Sequence, residues 1–273
     1  MLVVETINKR IDNGITRPFI CTASNHKQYV MKSIHDRCIG KVLFNELFCS
    51  RFAELLELPI PQSEIAYLPL STINSSKELI NLNVQEGPVF CVEYLTKSIP
   101  SLTAKTIKNA ENTKDIPGMI IFDIIIGNTD RATSYKDGNA GNYLFHSKSK
   151  NLYLIDHSHV FIYQELWEPR RLKDAMHLGS TLDEKFETRY RLFNKYVNGY
   201  NPFNNILARI SQITDAQFDD LIENIPEEWG ISDEEKAAVL TFVQYQCNNV
   251  EKIIELSGFR NAFEDWKGGV RHG

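Results

Sequence analysis

An α+β chain in two parts is what the sequence predicts: a small mixed sheet with one main helix over residues 1–94, then a mostly helical part over 95–273 that carries a short hairpin. Three observations lead there. Short strand-like segments at 18–21, 28–32, 65–70 and 88–94 crowd the first third of the chain. Apolar residues at spacings of three and four appear once in that third and then dominate the far end. Between them, one uniformly apolar segment is followed by two short strand-like pieces, NYLF and LYLID. With 273 residues and 42% hydrophobic content the chain can bury a sizeable core, which excludes disorder as its general state.

In chain order, PFICTASNHKQYVMK reads as a hairpin, with a polar turn at Ser24, Asn25 and His26 between two strands, the second ending on Lys32. Phe44, Leu47, Phe48, Phe52, Leu55 and Leu56 mark an amphipathic helix over 40–58, stopped by LPIP at 58–61. Strands follow at Ile65–Leu70 and Pro88–Tyr94, and the polar STINSSKELINLNVQEG between them reads as a loop or irregular hairpin. Lys97, Ser98 and Pro100 interrupt the pattern and place a border near 94–101. Pro117 suits the first turn of a helix running through Met119 and Phe122 to Ile126, so apolar that it must be buried on several sides; Gly127 and Asn128 stop it. The Gly-rich loop TSYKDGNAG, the strand NYLF, the turn HSKSKN and the strand LYLID come next. EPRRLK at 168–173 reads as a solvated helix face. Capping boxes at Thr214/Gln217 and Ser232/Glu235 open the last helices, and the tail WKGGVRHG is expected to fray.

A formal charge of -5 offers no net attraction to a phosphate backbone, so direct nucleic-acid binding is not expected. Five scattered cysteines, with no CxxC pair, and an opening apolar run too short for a signal peptide point to reduced thiols in a cytoplasmic protein. No apolar stretch is long enough for a membrane span.

Five polar residues stand out by position: Lys32 at a strand end, Glu46 on the following helix, Asp130 just past the buried helix, Asn142 opening NYLF and Asp156 closing LYLI. Each has an ordinary reading as a solvated lysine, a turn cap or a strand end. Jointly they say more. An antiparallel hairpin brings Asn142 and Asp156 to one end, where a neutral and a charged oxygen suit Mg²⁺. Asp130 then stands ready to orient a hydroxyl, and Glu46 can hold the Lys32 ammonium. That set equips phosphoryl transfer, where positioning and charge neutralisation carry the reaction. A rival metal site would use His146, Asp156, His157 and His159.

The segments YVMK, NELFCSRFAELLELPIP, FDIIIGNTDR, GNYLF, LYLIDHSHVF and IPEEWGISDEEKAAV, in this order along most of the chain, resemble the HipA-type serine/threonine kinase family, particularly its short stand-alone members. The resemblance implies a two-lobed protein-kinase-like fold shared with the phosphatidylinositol kinases, an N-lobe over 1–94 and a C-lobe over 95–273. It implies ATP and Mg²⁺ as cofactors, with Lys32 on the nucleotide phosphates, Glu46 as its partner and Asp130 as the catalytic aspartate. Asn142 and Asp156 become the metal ligands, and adenine would hang from the linker backbone of Phe90, Cys91, Val92, Glu93 and Tyr94. It further implies a protein substrate, and an antitoxin or regulatory partner as in toxin–antitoxin systems.

Departures from the family pattern accompany the likeness. The asparagine follows the aspartate by only a few residues in most members; here ATSYKDGNAG intervenes, which leaves Asn139 as an alternative ligand to Asn142. No histidine follows Asp130 closely. CTASNHKQ, the candidate phosphate loop, lacks glycine, so Ser24 and Asn25 are its candidate donors. A catalytically degenerate binding or scaffold module, and a kinase acting on a lipid or small-molecule hydroxyl, remain the alternatives.

Overall fold

Only Val4 is fully buried in LVVETINKR, too thin a pattern to announce an element, yet these residues form the nine-residue strand β1 (Leu2–Arg10). In this computed structural model, residues 2–268 are described, apart from 13, 15, 101 and 132–140. β1 pairs antiparallel with β2 (Phe19–Ala23), and β2 with β3 (Gln28–Lys32), which is the hairpin expected there. β3 continues to β5 (Gly87–Glu93), and β5 to β4 (Ser63–Leu68). β4 then returns parallel to β1 through Leu2 opposite Ala66 and Val3 opposite Tyr67. The sheet is therefore mixed, as expected, but it closes into a barrel. Closure removes the edges that an open sheet would expose, and Phe19, Cys21, Met31, Ala66 and Cys91 fill the interior with no solvent exposure.

STINSSKELINLNVQEG is not a loop or hairpin: it forms α2 (Leu70–Asn74) and α3 (Lys77–Asn81). Each helix is too short for periodicity to declare it. Ser76 caps α3 by accepting from the Leu79 amide, and Thr72 Oγ1 donates to the Val4 carbonyl, so the pair is tied onto the barrel. Helix α1 (Gly40–Leu55) lies between β3 and β4 where the apolar spacing put it; its buried residues include Asn45 and Glu46 beside Phe44, Phe48 and Phe52.

The border residues form a strand of their own. β6 (Ser98–Ile99) pairs with β7 (Tyr143–His146), and β7 with β8 (Asn151–Leu154), in a second, three-stranded sheet. The short α4 (Ala104–Lys108) precedes α5 (Ile116–Ile125), whose every residue is buried. Beyond the hairpin come α6 (Pro169–Asp174), α7 (Phe186–Arg189), α8 (Asn204–Ser211), α9 (Asp215–Asp220) and α10 (Asp233–Ile254). Both expected capping boxes are formed, by Thr214 with Gln217 and by Ser232 with Glu235. Among the described residues no helix is long and apolar enough to cross a membrane.

One apolar cluster runs through α1, α5 and α10, so the helix that follows β3 in sequence is packed with the helical part. Phe52 meets Phe122 at 5.8 Å, and Phe48 meets Phe161 edge-on at 5.6 Å. The segment before α10 and the first turn of α10 reach back across this core: Trp229 Nε1 donates to the Pro88 carbonyl, and Lys41 bridges to Glu235 at 2.7 Å. Gly40 permits that approach, because a Cβ there would stand 1.9 Å from the Trp229 carbonyl oxygen. Gly40→Ala is expected to lower stability by about 1–3 kcal/mol, the usual range for overpacking, read as a lower urea midpoint at unchanged slope.

Candidate active site

Why a buried helix should end in aspartate and arginine becomes clear from its last turn. Gly127 takes φ +58°, the left-handed conformation that a helix stop needs. The Gly127 amide donates to Ile124 O and the Asn128 amide to Asp123 O, the bond pair of a Schellman stop. The Asp130 amide then donates to Asn128 Oδ1 at 2.9 Å. Arg131 turns back inward. Its Nε donates to both oxygens of Asp123 at 3.2 and 3.1 Å, with neither side chain exposed at all. Its Nη1 donates to the carbonyls of Asn142 and Ile155, at 2.5 and 2.7 Å. Tyr190 and Asn128 donate to the same Asp123 carboxylate. Burial alone would pull the guanidinium pKa down, but Asp123 outweighs it and raises it. Arg131 thus joins α5 to the two backbone positions that carry Asn142 and precede Asp156. Both of those residues hold φ near +50°, a conformation that Asn and Asp tolerate best after glycine.

Lys32, Glu46 and Asp156 meet. Lys32 Nζ donates to Glu46 Oε1 at 2.5 Å and to Asp156 Oδ1 at 2.8 Å, bringing together residues 124 positions apart. Burial would lower the ammonium pKa, but Asp156 and Glu46 together hold it well above its ordinary value. Burial would likewise raise the Asp156 pKa, and the Lys32 charge and the bonds it receives hold it far below the carboxylate range. Glu46 Oε2 accepts from the His157 amide at 3.0 Å, which ties α1 to the chain just past β8. Asp156 keeps 34% of its side chain exposed. Lys32 and Ser158 both engage its Oδ1 and neither engages Oδ2, so a cation arriving from the cleft finds a carboxylate oxygen.

Lys32, Glu46, Phe90, Glu93, Asn142 and Asp156 line one cleft of about 690 Å³, a size usual for small-molecule sites. Asp130 is joined to its wall through Asn142, whose Nδ2 donates to Asp130 Oδ2 at 3.0 Å. Val92 and Tyr94 also line the cleft. Cys91 does not: alternation turns its side chain into the barrel, and its backbone lies in register with Met31 and Glu64. The amides of Glu93 and Tyr94 are committed to Gln62 O and Gln28 O, so the linker's donors for a purine would begin near Leu95, which lines the cleft as well. Ser24 and Asn25 are also misplaced. They sit in the β2–β3 turn at the opposite end of β3 from Lys32, with Ser24 bonded to Val3 and Asn25 to Tyr29. The connection over the cleft is the one between β1 and β2, where Arg10, Ile11, Asp12 and Pro18 line it and Gly14 takes φ +121°. The turn expected over the cleft thus lies one connection further along the sheet, past β1, which has little apolar pattern of its own. Asn139 lies outside the described residues.

A family model described as HipA-like kinase matches residues 4–263. The chain belongs to the HipA-like kinase family. Its fold is that of solved kinases. The crystal structure of the Helicobacter pylori proinflammatory kinase CtkA superposes with a TM-score of 0.56 at 14% identity, over 94% of this chain and 95% of that one. A Shewanella oneidensis MR-1 HipA, solved with HipB and its operator DNA, gives a TM-score of 0.46 at 11% identity, over 92% of this chain and 68% of that one. No curated protein matches in sequence.

In this HipA-like kinase the histidines of the rival metal site have separate partners, and among the described residues no group of three or more His, Cys, Asp or Glu could hold a metal ion. His146 Nδ1 meets Ser149. His157 is buried against Phe122, and burial lowers its pKa. His159 Nδ1 lies 3.1 Å from Asp130 Oδ2. Asn142 and Asp156 both line the cleft, and their side-chain oxygens are of the kind that could hold a hard divalent cation. Sequence reasoning missed the roles of Asp123, Arg131, Tyr190 and His159. For Asp123 a signal existed: a carboxylate inside MIIFDIIIG demands a buried cationic partner.

Proposed function

We propose that the protein is an ATP- and Mg²⁺-dependent kinase that phosphorylates serine or threonine hydroxyls of a protein. Residues 1–94 and 95–273 act as two lobes around the nucleotide. The observation that carries the reading is Lys32 bonded at once to Glu46 and Asp156 on the wall of a cleft that also holds Asn142, with Asp130 bonded to Asn142. Membership of a kinase family supports the reaction type, and the serine/threonine and protein preference follows the resemblance.

Lys32 would bind the α and β phosphates, held at its station by Glu46. Asn142 and Asp156 would hold the metal. When bound, Mg²⁺ neutralises phosphate charge and aligns the γ-phosphoryl group for in-line transfer. Asp130 would orient the acceptor hydroxyl and accept its proton, its carboxylate being 36% exposed and so within reach of an acceptor. The preassembled Lys32 contacts favour this reading over a degenerate scaffold, which has no need to keep a lysine and two carboxylates together.

Purified protein given Mg²⁺ and labelled ATP is expected to bind nucleotide and to transfer label to itself or to an acceptor, and Asp130→Asn to abolish transfer while ATP binding persists. Absence of binding at millimolar ATP, or full transfer by the Asn variant, would overturn the proposal.

A further inference from the structure

Asp130 is gripped from two directions. Its Oδ2 accepts from Asn142 Nδ2 at 3.0 Å on one side and meets His159 Nδ1 at 3.1 Å on the other. The second contact comes from the segment just beyond Asp156, a different stretch of chain. That segment is tied at the adjacent position too: the Thr129 amide donates to the His159 carbonyl at 3.1 Å. Neighbouring residues on one strand of chain therefore engage the backbone and the side chain of a single residue on the other, which makes a stiff rung between the loop carrying Asp130 and the loop carrying Asp156.

We infer that His159 is a positioning residue for phosphoryl transfer, donating from Nδ1 to fix the plane of the Asp130 carboxylate against the acceptor hydroxyl. The inference rests on the kinase reading of Asp130. A carboxylate with 36% of its side chain exposed would otherwise exchange rotamers, and two donors on one oxygen remove that freedom. The pattern is that of a base oriented by a third group. The bond to Asp130 raises the imidazole pKa, in keeping with a ring that donates. His159 touches neither Lys32 nor Asp156 by a hydrogen bond, so its part is separable from nucleotide binding.

The test is steady-state ATP turnover, read as ADP release and as autophosphorylation, for the unaltered protein and for His159→Leu, His159→Asn and Asp130→Asn. His159→Leu is expected to lower kcat roughly tenfold to hundredfold, the usual cost of losing an orienting partner, with KM for ATP unchanged. His159→Asn, whose amide can donate from near the Nδ1 position, is expected to recover most of that loss. His159→Phe replaces the leucine variant should the latter fail to fold. An unchanged kcat without the donor overturns the inference, as does a rise in KM that accompanies the fall in kcat, or a folded Asn variant with no recovery. Full activity in Asp130→Asn, or no turnover by the unaltered protein, overturns the kinase reading instead.

Discussion

Arg131→Leu is expected to remove about 3–5 kcal/mol of stability, the cost of leaving a buried charge without its partner. Asp123 has no solvent exposure and, among the described residues, would keep Tyr190 and Asn128 as side-chain donors. The carbonyls of Asn142 and Ile155 would also lose their shared donor. Arg131→Lys should fare little better, because an ammonium cannot reproduce the fork that spans a carboxylate and two carbonyls. Urea unfolding measures the loss; a change below about 1 kcal/mol, the scale of an exposed ion pair, would show that Arg131 does not hold these loops. The double variant Asp123→Leu, Arg131→Leu should recover part of the loss, since it leaves no unpaired charge behind.

Lys32→Met should lower ATP turnover by roughly a hundredfold or more, the scale seen when one preorganised donor to a reacting group is removed. It should also destabilise the protein, because Glu46, with 4% of its side chain exposed, would lose its cation. The pH dependence follows from the two shifts. Lys32 is raised above its usual 10.5, so its contribution is present in full below that pH and is lost only as alkalinity climbs beyond it. Asp156 is depressed below its usual 3.8, so its contribution is present in full above that pH and is lost on acidification. The unaltered protein should therefore lose this part of its stability below about pH 4, and Lys32→Met should show a smaller loss there. Turnover equal to the unaltered protein's would remove Lys32 from the site.

Local chemistry made much of this readable. The hairpin ending on Lys32, the helix bearing Glu46, the all-apolar α5 with its glycine stop and the two capping boxes each carry a pattern within a few residues. β1 escaped because eight of its nine residues are partly or fully exposed, and α2 and α3 because a five-residue helix has barely one turn in which to show a period. The placing of Ser24 and Asn25 over the cleft failed with β1: without the first strand, the second turn of the sheet stood in for the first.

By itself the sequence determined which residues could do chemistry and on what kind of element each one sits, because propensity, period and capping act over a turn or two of chain. Only the tertiary structure decided that the first sheet closes, that Arg131 spends its donors on the Asn142 and Ile155 carbonyls, that His159 meets Asp130, and that the β1–β2 connection rather than the β2–β3 turn borders the cleft. Those outcomes join residues that lie far apart in the chain, and their energy comes from burial and from pairing charges out of water; apart from the carboxylate of Asp123 inside an apolar run, the local order of amino acids does not name the partners.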